Sequence, residues 1–427
     1  MAQGSRSRHT GSWSADLGPR IVNHADTGRA TFRRSTSDER VALVSEDSDL
    51  IWFLLGIHRN SCVTIRAGVK IQSGRFMQHQ RDYSLTGRSA KHAEESGLAG
   101  VTWYQTPIPR DKFKTLMQRD DRTALRDTVL LFGIMAIALV GGVLLWGGFM
   151  AIPFWLVYGV LYGSAMDSRW HECGHGTAFR TRRYNQWLYQ IACFCMIRNP
   201  TVWRWSHARH HTDTIIVGRD PEIQAMRPPA LVTIALNFLG IPDAIRGWVM
   251  MFRNALGIID PEDLSYIPAP ERAKVVTAAR VWVLIYAVTG AIAIWFGSLL
   301  PLMIIGLPRL YGAWHHVLTG LLQHAGLADN VGDHRLNSRT ILLNPVSRFI
   351  YWNMNYHIEH HMFPMVPYHQ LPRLHKLISH DLPPPTPSLW HGYREIIPIL
   401  WKQRRDPEHH LRRELPQTAN GCADHAG

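Results

Sequence analysis

Eight histidines stand in three short clusters whose spacing suits a metal site. His171-Glu172-Cys173-Gly174-His175 places two imidazoles at i and i+4. His207-Ala208-Arg209-His210-His211 and His357-Ile358-Glu359-His360-His361 each place three at i, i+3 and i+4. On a helix these separations bring side chains onto one face, a turn apart. Neutral imidazole suits iron, zinc, copper or nickel. A tetrahedral ion takes about four such ligands, so eight imidazoles point to two ions. Cys173 lies off the helical face of its cluster and reads as packed.

Neutral rings leave the charge of two divalent ions uncompensated. Ligating histidines commonly pass their other N–H to a carboxylate or carbonyl. Glu172, Asp213, Asp220, Glu222, Asp333 and Glu359 stand near the clusters in sequence and are candidates, a solvated loop acid being the alternative for each. A ninth imidazole is expected at His324, in Leu322-Gln323-His324, with His315 and His316 competing for the role. Asn353, one turn before His357, reads as a capping or packing residue, with a water-holding role as the alternative.

The elements that carry these clusters are set by apolar patterning. Val129 to Met166 contains 38 residues without Asp, Glu, Lys, Arg or His. A helix of that length spans about 57 Å, against a bilayer core of about 30 Å. The run fits a hairpin of two crossings, with its turn at Gly147-Gly148 and Pro153. Val281 to Pro308 is a second uncharged run of 28 residues. Extended from Val275 through about Leu318, it fits two more crossings, turning at Gly297 and Pro301. Arg309 then falls inside the fourth span, so it must face the bundle interior or mark a displaced helix. Core helices of a soluble protein are the competing reading, which a 38-residue uncharged run argues against.

Charge orients these hairpins. The formal net charge is +13. Arg122 and Arg126 precede the first hairpin, Arg169, Arg180, Arg182 and Arg183 follow it, and Arg272, Lys274 and Arg280 border the second. Neither turn carries charge. The positive-inside rule places both termini and all three clusters in the cytoplasm. No basic stripe combines with a recognition motif, which argues against nucleic acid as a partner. Five cysteines without a CxxC suit a reducing compartment.

Residues 1–76 lack core-forming periodicity and read as a disordered or dispensable extension. A protein expressed from Met77 is expected to keep its activity; loss of turnover without loss of protein would show otherwise. Residues 77–404 form one membrane domain, with hairpins at about 129–166 and 275–318 and a cap at 167–274 and 319–404. Within the cap, 187–197 and 230–241 are too short to cross and read as half-buried helices on the membrane face. Leu371, Leu374, Leu377 and Ile378 form a helical stripe, a further helix follows to about Trp401, and 405–427 reads as a disordered tail.

The segments HECGH, HARHH, LLQH and NYHIEHH, in this order and interleaved with two hydrophobic hairpins, resemble the membrane-bound fatty acid desaturase and hydroxylase superfamily, over about 83–400. The resemblance implies an all-α membrane protein, with four transmembrane helices in two hairpins under a cytosolic helical cap. It implies a di-iron site, dioxygen as co-substrate and two external electrons. It carries the ligand roles to His171, His175, His207, His210, His211, His324, His357, His360 and His361. NYHIEHH, Phe363-Pro364 and Leu371-Pro372 resemble acyl desaturases; HECGH and Asp220-Pro221-Glu222 resemble alkane hydroxylases. DYSLTG from Asp82 and WYQTPIPR from Trp103 resemble bacterial desaturases of small amino-acid-derived metabolites, of the rhizobitoxine type. No haem-binding HPGG is present, so electrons are expected from a separate ferredoxin or cytochrome.

The expected function is therefore oxygen-dependent desaturation of a fatty acyl or similar amphiphilic substrate, in an integral, multi-pass protein of a bacterial inner membrane. Hydroxylation uses the same ligands and stays open beside it. HECGH is also a literal HExxH zinc-protease motif, but that reading leaves the other clusters unexplained. A non-catalytic metal-binding protein or transporter is the remaining alternative. The substrate is expected in an apolar channel walled by Tyr158, Tyr162, Trp203, Trp205, Trp314 and Trp352, with Gly163 and Ala165 controlling its length; an interfacial aromatic belt is the alternative.

Overall fold

The computed structural model describes residues 81–416. The proposed extension 1–76 and residues 417–427 of the proposed tail lie outside the described residues. Helices dominate, and among the described residues the only β pairing is two isolated bridges.

The first long helix, α1 (Asp121–Leu144), starts where the Asp120 carboxylate accepts from the amides of Arg122 and Thr123 at 3.1 and 3.2 Å. Such a cap satisfies amides that have no intrahelical partner. Ala124, Leu131, Met135, Ala138 and Gly142 form its buried stripe, while Val129, Leu130, Ile137, Val140 and Leu144 stay exposed on the outside. That exposure suits lipid rather than water. The chain reverses at Gly147, whose φ of 86° favours glycine, and Pro153 sits in the first turn of α2 (Ile152–Gly163). A break at Ser164 leads into α3 (Ala165–His175), closed by Gly176 in the left-handed conformation.

Next, α4 (Arg182–Cys195) lies along the surface with Trp187 and Ile191 exposed. The second cluster rides on α5 (Pro200–Thr212), capped by Asn199. Asn199 also donates to the Val275 carbonyl at 2.8 Å, tying this helix to a later span. The half-buried helix expected at 230–241 is a short turn, Leu231–Asn237, followed by amphipathic α6 (Ile241–Ala255). Then α7 (Arg272–Trp295) buries Val275, Ala279, Trp282, Tyr286, Thr289 and Ala293 at alternating steps of four and three.

Among the described residues, three helical stretches are long and apolar enough to cross a membrane: Arg110–Leu144, Phe149–His175 and Ala269–Trp295. A continuous fourth helix does not form. The chain instead makes Leu300–Ile304, Pro308–Tyr311 and then α8 (Trp314–His324). Ile305 is extended, Gly306 has φ 102°, and Pro301 and Pro308 each open a new short helix. Proline lacks the amide a continuous helix needs. The broken segment runs parallel to α2. Tyr158 Oη donates to the Ile304 carbonyl at 3.0 Å near its start, and Ser164 Oγ donates to the Gly312 carbonyl further along.

Arg309 faces inward, as its charge requires. It is fully buried and paired with Asp243 of α6, which also accepts from Arg198 Nη2 at 2.9 Å.

The third cluster occupies the short α9 (His357–Met362). It is backed by α10 (Leu371–Ile378), whose Leu371, Leu374 and Ile378 are fully buried, each worth about 1.5–3 kcal/mol relative to exposure. Last, α11 (Leu389–Gln403) packs on α8. Residues 405–416, expected as part of a disordered tail, lie against the cap. Leu411 N donates to the Gly326 carbonyl at 2.8 Å and Arg413 Nη1 to the Arg335 carbonyl at 3.0 Å. The basic residues there gain backbone acceptors that composition does not reveal.

Candidate metal centre

Helices α3, α5, α8 and α9 end at one place. Their imidazoles form two groups: His171, His175, His207, His211 and His360; and His210, His324, His357 and His361. Within each group the candidate ligand nitrogens all lie within 4.8 Å of one another. The groups adjoin, with the ring centroids of His211 and His361 4.5 Å apart. All nine expected histidines are thus brought together. His315 and His316 are not: His315 Nε2 meets Ser347 Oγ at 3.2 Å, and His316 packs beside Arg309.

In the first group His171 Nε2 is 2.7 Å from that of His360, and His207 Nε2 is 3.0 Å from His175 and 3.2 Å from His211. In the second, His357 Nε2 is 3.0 Å from both His324 and His361. Metal–nitrogen bonds of about 2.0–2.1 Å place neighbouring ligand atoms roughly 3 Å apart, so these spacings fit shared cations.

Tautomers decide the matter further. His324 Nδ1 is 2.8 Å from the Asn337 carbonyl, which can only accept. Its Nε2 therefore carries a bare lone pair aimed at the other rings. His207 Nδ1 meets Glu222 Oε2 at 3.0 Å, His210 Nδ1 meets Asp220 Oδ2 at 2.8 Å, and His361 Nδ1 meets Thr214 Oγ1 at 3.3 Å. Lone pairs pointed at one another repel unless a cation lies between them. Burial, reinforced by neighbouring imidazoles, holds His207, His211, His357 and His361 well below the usual imidazole range, so they are neutral and able to ligate. His210 is displaced upward: burial opposes this, but Asp220 outweighs it. Burial pushes the Glu222 carboxyl up to about 7.

Of the six candidate carboxylates, Asp220 and Glu222 back histidines of the centre. Glu172 accepts from Thr177 Oγ1 at 2.8 Å and the Tyr368 amide at 3.0 Å. Asp213 pairs with Arg209 and Arg219, Asp333 with Arg335, and Glu359 with His375 and Thr340. Asn353 bonds Arg348 and the Tyr368 carbonyl. Glu222→Ala is expected to weaken metal binding roughly 10–100-fold, the usual effect of losing such a partner. Competition against a chelator measures it; an unchanged affinity removes this role from Glu222.

A cavity of about 90 Å³ touches the centre at His175 and His207, walled by Trp170, Tyr189, Trp203 and Arg204. Of the six aromatics expected as channel walls, Trp203 lines this cavity. Trp352 instead stacks on Tyr368 at 4.2 Å in the core, and Gly163 abuts the Pro308 carbonyl, where a Cβ would sit 2.5 Å away. Gly163 is a packing position between helices.

Sequence reasoning missed His334. It is buried, its ring lies 5.1 Å from that of His361, and its Nδ1 has no partner. Trp103 stacks on it at 4.1 Å and 6°. The available signal was Asp333, which caps the short helix His334–Asn337.

The fatty acid desaturase family model matches residues 148–393, more than half of the chain. The chain belongs to the fatty acid desaturase family. Among similar members, the sn-1 acyl-lipid omega-3 desaturase (ferredoxin) of Synechocystis sp. is 23% identical over 320 residues, covering 69% of this chain and 82% of its own. The chloroplastic sn-2 acyl-lipid omega-3 desaturase (ferredoxin) of Helianthus annuus is 23% identical over 266 residues, 58% of each chain. The acyl-lipid omega-3 desaturase (cytochrome b5) of the endoplasmic reticulum of Arabidopsis thaliana is 23% identical over 248 residues, 54% of this chain and 64% of its own. Membership, together with three helices apolar enough to span a bilayer, makes this desaturase-family chain a membrane protein and an oxidoreductase.

Proposed function

We propose that the protein is an oxygen-dependent, di-iron membrane desaturase that introduces a double bond into a fatty acyl or similarly amphiphilic substrate. The observation that carries this reading is the pairing of five and four imidazoles in two adjoining groups. The nine histidines would hold two iron ions, one per group. When bound, such ions supply the activation of dioxygen and the removal of hydrogen from an unactivated C–H bond. Asp220, Glu222 and the Asn337 carbonyl fix the tautomers, so that Nε2 faces inward. Trp170 and Trp203 supply apolar wall to the cavity beside His175 and His207. Holding the reacting carbon in a dry site favours the reaction over side chemistry.

The broken segment Leu300–His324 serves as the fourth crossing, since it follows α2 to the same centre. The distribution of arginine and lysine supports a cytoplasmic side for the centre and both termini, as in a bacterial inner membrane. Electrons come from a separate carrier. Relatives named for ferredoxin and for cytochrome b5 support this.

The protease reading loses support from Glu172. Its Oε1 is engaged by Thr177 and the Tyr368 amide, and neither of its oxygens is hydrogen-bonded to an imidazole of the centre, whereas a general base must reach the metal-bound water. Hydroxylation shares the ligand set and is the second reading. Mass spectrometry of the product, after incubation with acyl substrates, dioxygen and reduced ferredoxin, separates the two. A product two hydrogens lighter is expected; one oxygen heavier means hydroxylation, and no oxygen-dependent product overturns both.

A further inference from the structure

The segment Trp103–Thr106 is fastened across the cap near the second imidazole group. Tyr104 Oη donates to Asp381 at 2.8 Å, Gln105 Nε2 to the Met362 carbonyl at 3.1 Å, and Thr106 Oγ1 to Asp381 at 2.6 Å. These bonds hold Trp103, itself partly exposed, flat on buried His334. His334 lies beside His361 of the second group. The Trp103 indole N–H also donates to the Thr212 carbonyl at 3.0 Å, one residue beyond His211 of the first group. Surface and centre are thus joined by two ring contacts and one hydrogen bond.

A second aromatic path, Trp203–Trp170–His207, has steps of 4.7 and 5.2 Å. Its outer end is covered, because the Arg198 guanidinium lies 3.7 Å over the Trp203 ring and is held there by Asp243. Among the described residues, no second aromatic or cationic group stacks on Trp103 besides His334.

We propose that Trp103 is the docking point and electron entry for a small acidic one-electron carrier protein, with His334 as the bridge to the centre. This rests on the di-iron reading above. Electron tunnelling falls off steeply with distance and is best served by contacting groups. A net charge of +13 favours encounter with an acidic partner. Each event oxidises one carrier by one electron and reduces one ferric ion to ferrous; no bond or proton is exchanged, and two events supply the two electrons. Trp103 and His334 remain closed-shell throughout.

The test uses the iron-loaded full chain in nanodiscs with a reduced [2Fe–2S] ferredoxin, followed by stopped-flow absorbance, with dithionite as a small reductant in parallel. Trp103→Leu is expected to slow reduction by ferredoxin roughly tenfold or more, as removal of an anchoring tryptophan does at an interface, with iron content and dithionite reduction unchanged. Trp103→Phe keeps a stacked ring and should recover most of the rate. Equal slowing with dithionite, or a wild-type rate with ferredoxin, overturns the proposal. Oxidative footprinting of the wild-type chain checks it without substitution: ferredoxin should protect Trp103, and an unprotected Trp103 overturns it. Failure of the chain to bind iron at all would instead sink the functional reading on which this rests.

Discussion

His210→Ala is expected to abolish turnover and deplete iron. His210 supplies one of four imidazoles in the second group, and its Nδ1 is held by Asp220 at 2.8 Å. Its ring lies 4.8 Å from that of His361 and 5.4 Å from that of His324. Removing it leaves three rings and frees a carboxylate that remains fixed by the Ile215 and Glu222 amides, both at 2.8 Å. The loss should exceed the roughly 10–100-fold cost of deleting an outer partner. Membrane insertion should persist, because α1, α2 and α7 bury other residues. Metal analysis of the purified variant gives the answer; full iron content with normal product formation is incompatible with the assigned centre.

Gly312→Val is expected to be the most damaging change outside the centre. A Cβ at Gly312 would lie 1.8 Å from the Gly159 carbonyl oxygen and 2.7 Å from that of Pro308. Both obstacles are backbone, so no rotamer change relieves them. The broken segment must move off α2, and α8 with His324 moves with it. Overpacking usually costs about 1–3 kcal/mol, and a backbone obstacle belongs at or above the upper end. Gly320 in α8 provides the control, since a Cβ there meets nothing within 4 Å. Gly320→Ala should be neutral or stabilise by up to about 1 kcal/mol. Thermal unfolding in detergent compares the two, and equal midpoints would refute the close helix contact as a determinant of stability.

The three histidine clusters were legible because their geometry is local: i, i+3 and i+4 on a helix share a face whatever the tertiary fold. The same rule explains which acids fail to support them. Glu172 follows His171 by one residue and Glu359 follows His357 by two, spacings that point away from the shared face. Both are bonded elsewhere. Asp220 and Glu222 return to α5 through a loop, which sequence proximity suggests but cannot orient. The first hairpin and its turn were legible from apolar length and glycine. The break in the segment Leu300–His324, expected as a fourth crossing, was not. A hydropathy sum treats Leu300 to Leu322 as uniform and does not see that Gly306 takes a conformation few other residues tolerate. Trp103 and His334 lie far apart in sequence and carry no periodic signal, so their stacking belongs to the tertiary structure alone.

The interrupted segment Leu300–His324 also places an order on assembly. Leu300–Ile304 and Pro308–Tyr311 are too short to partition into lipid as independent helices, and the Arg309 guanidinium makes unaided transfer from the translocon costlier still. The segment can settle only where Asp243 already waits to neutralise that charge, and where Gly159 and Gly163 leave room for its backbone. The first hairpin and α6 therefore act as a template for what is synthesised after them. The last histidine-bearing helices, α8 and α9, reach the other clusters only once that template has formed. The two imidazole groups are in this way completed only after the apolar part of the molecule has been assembled.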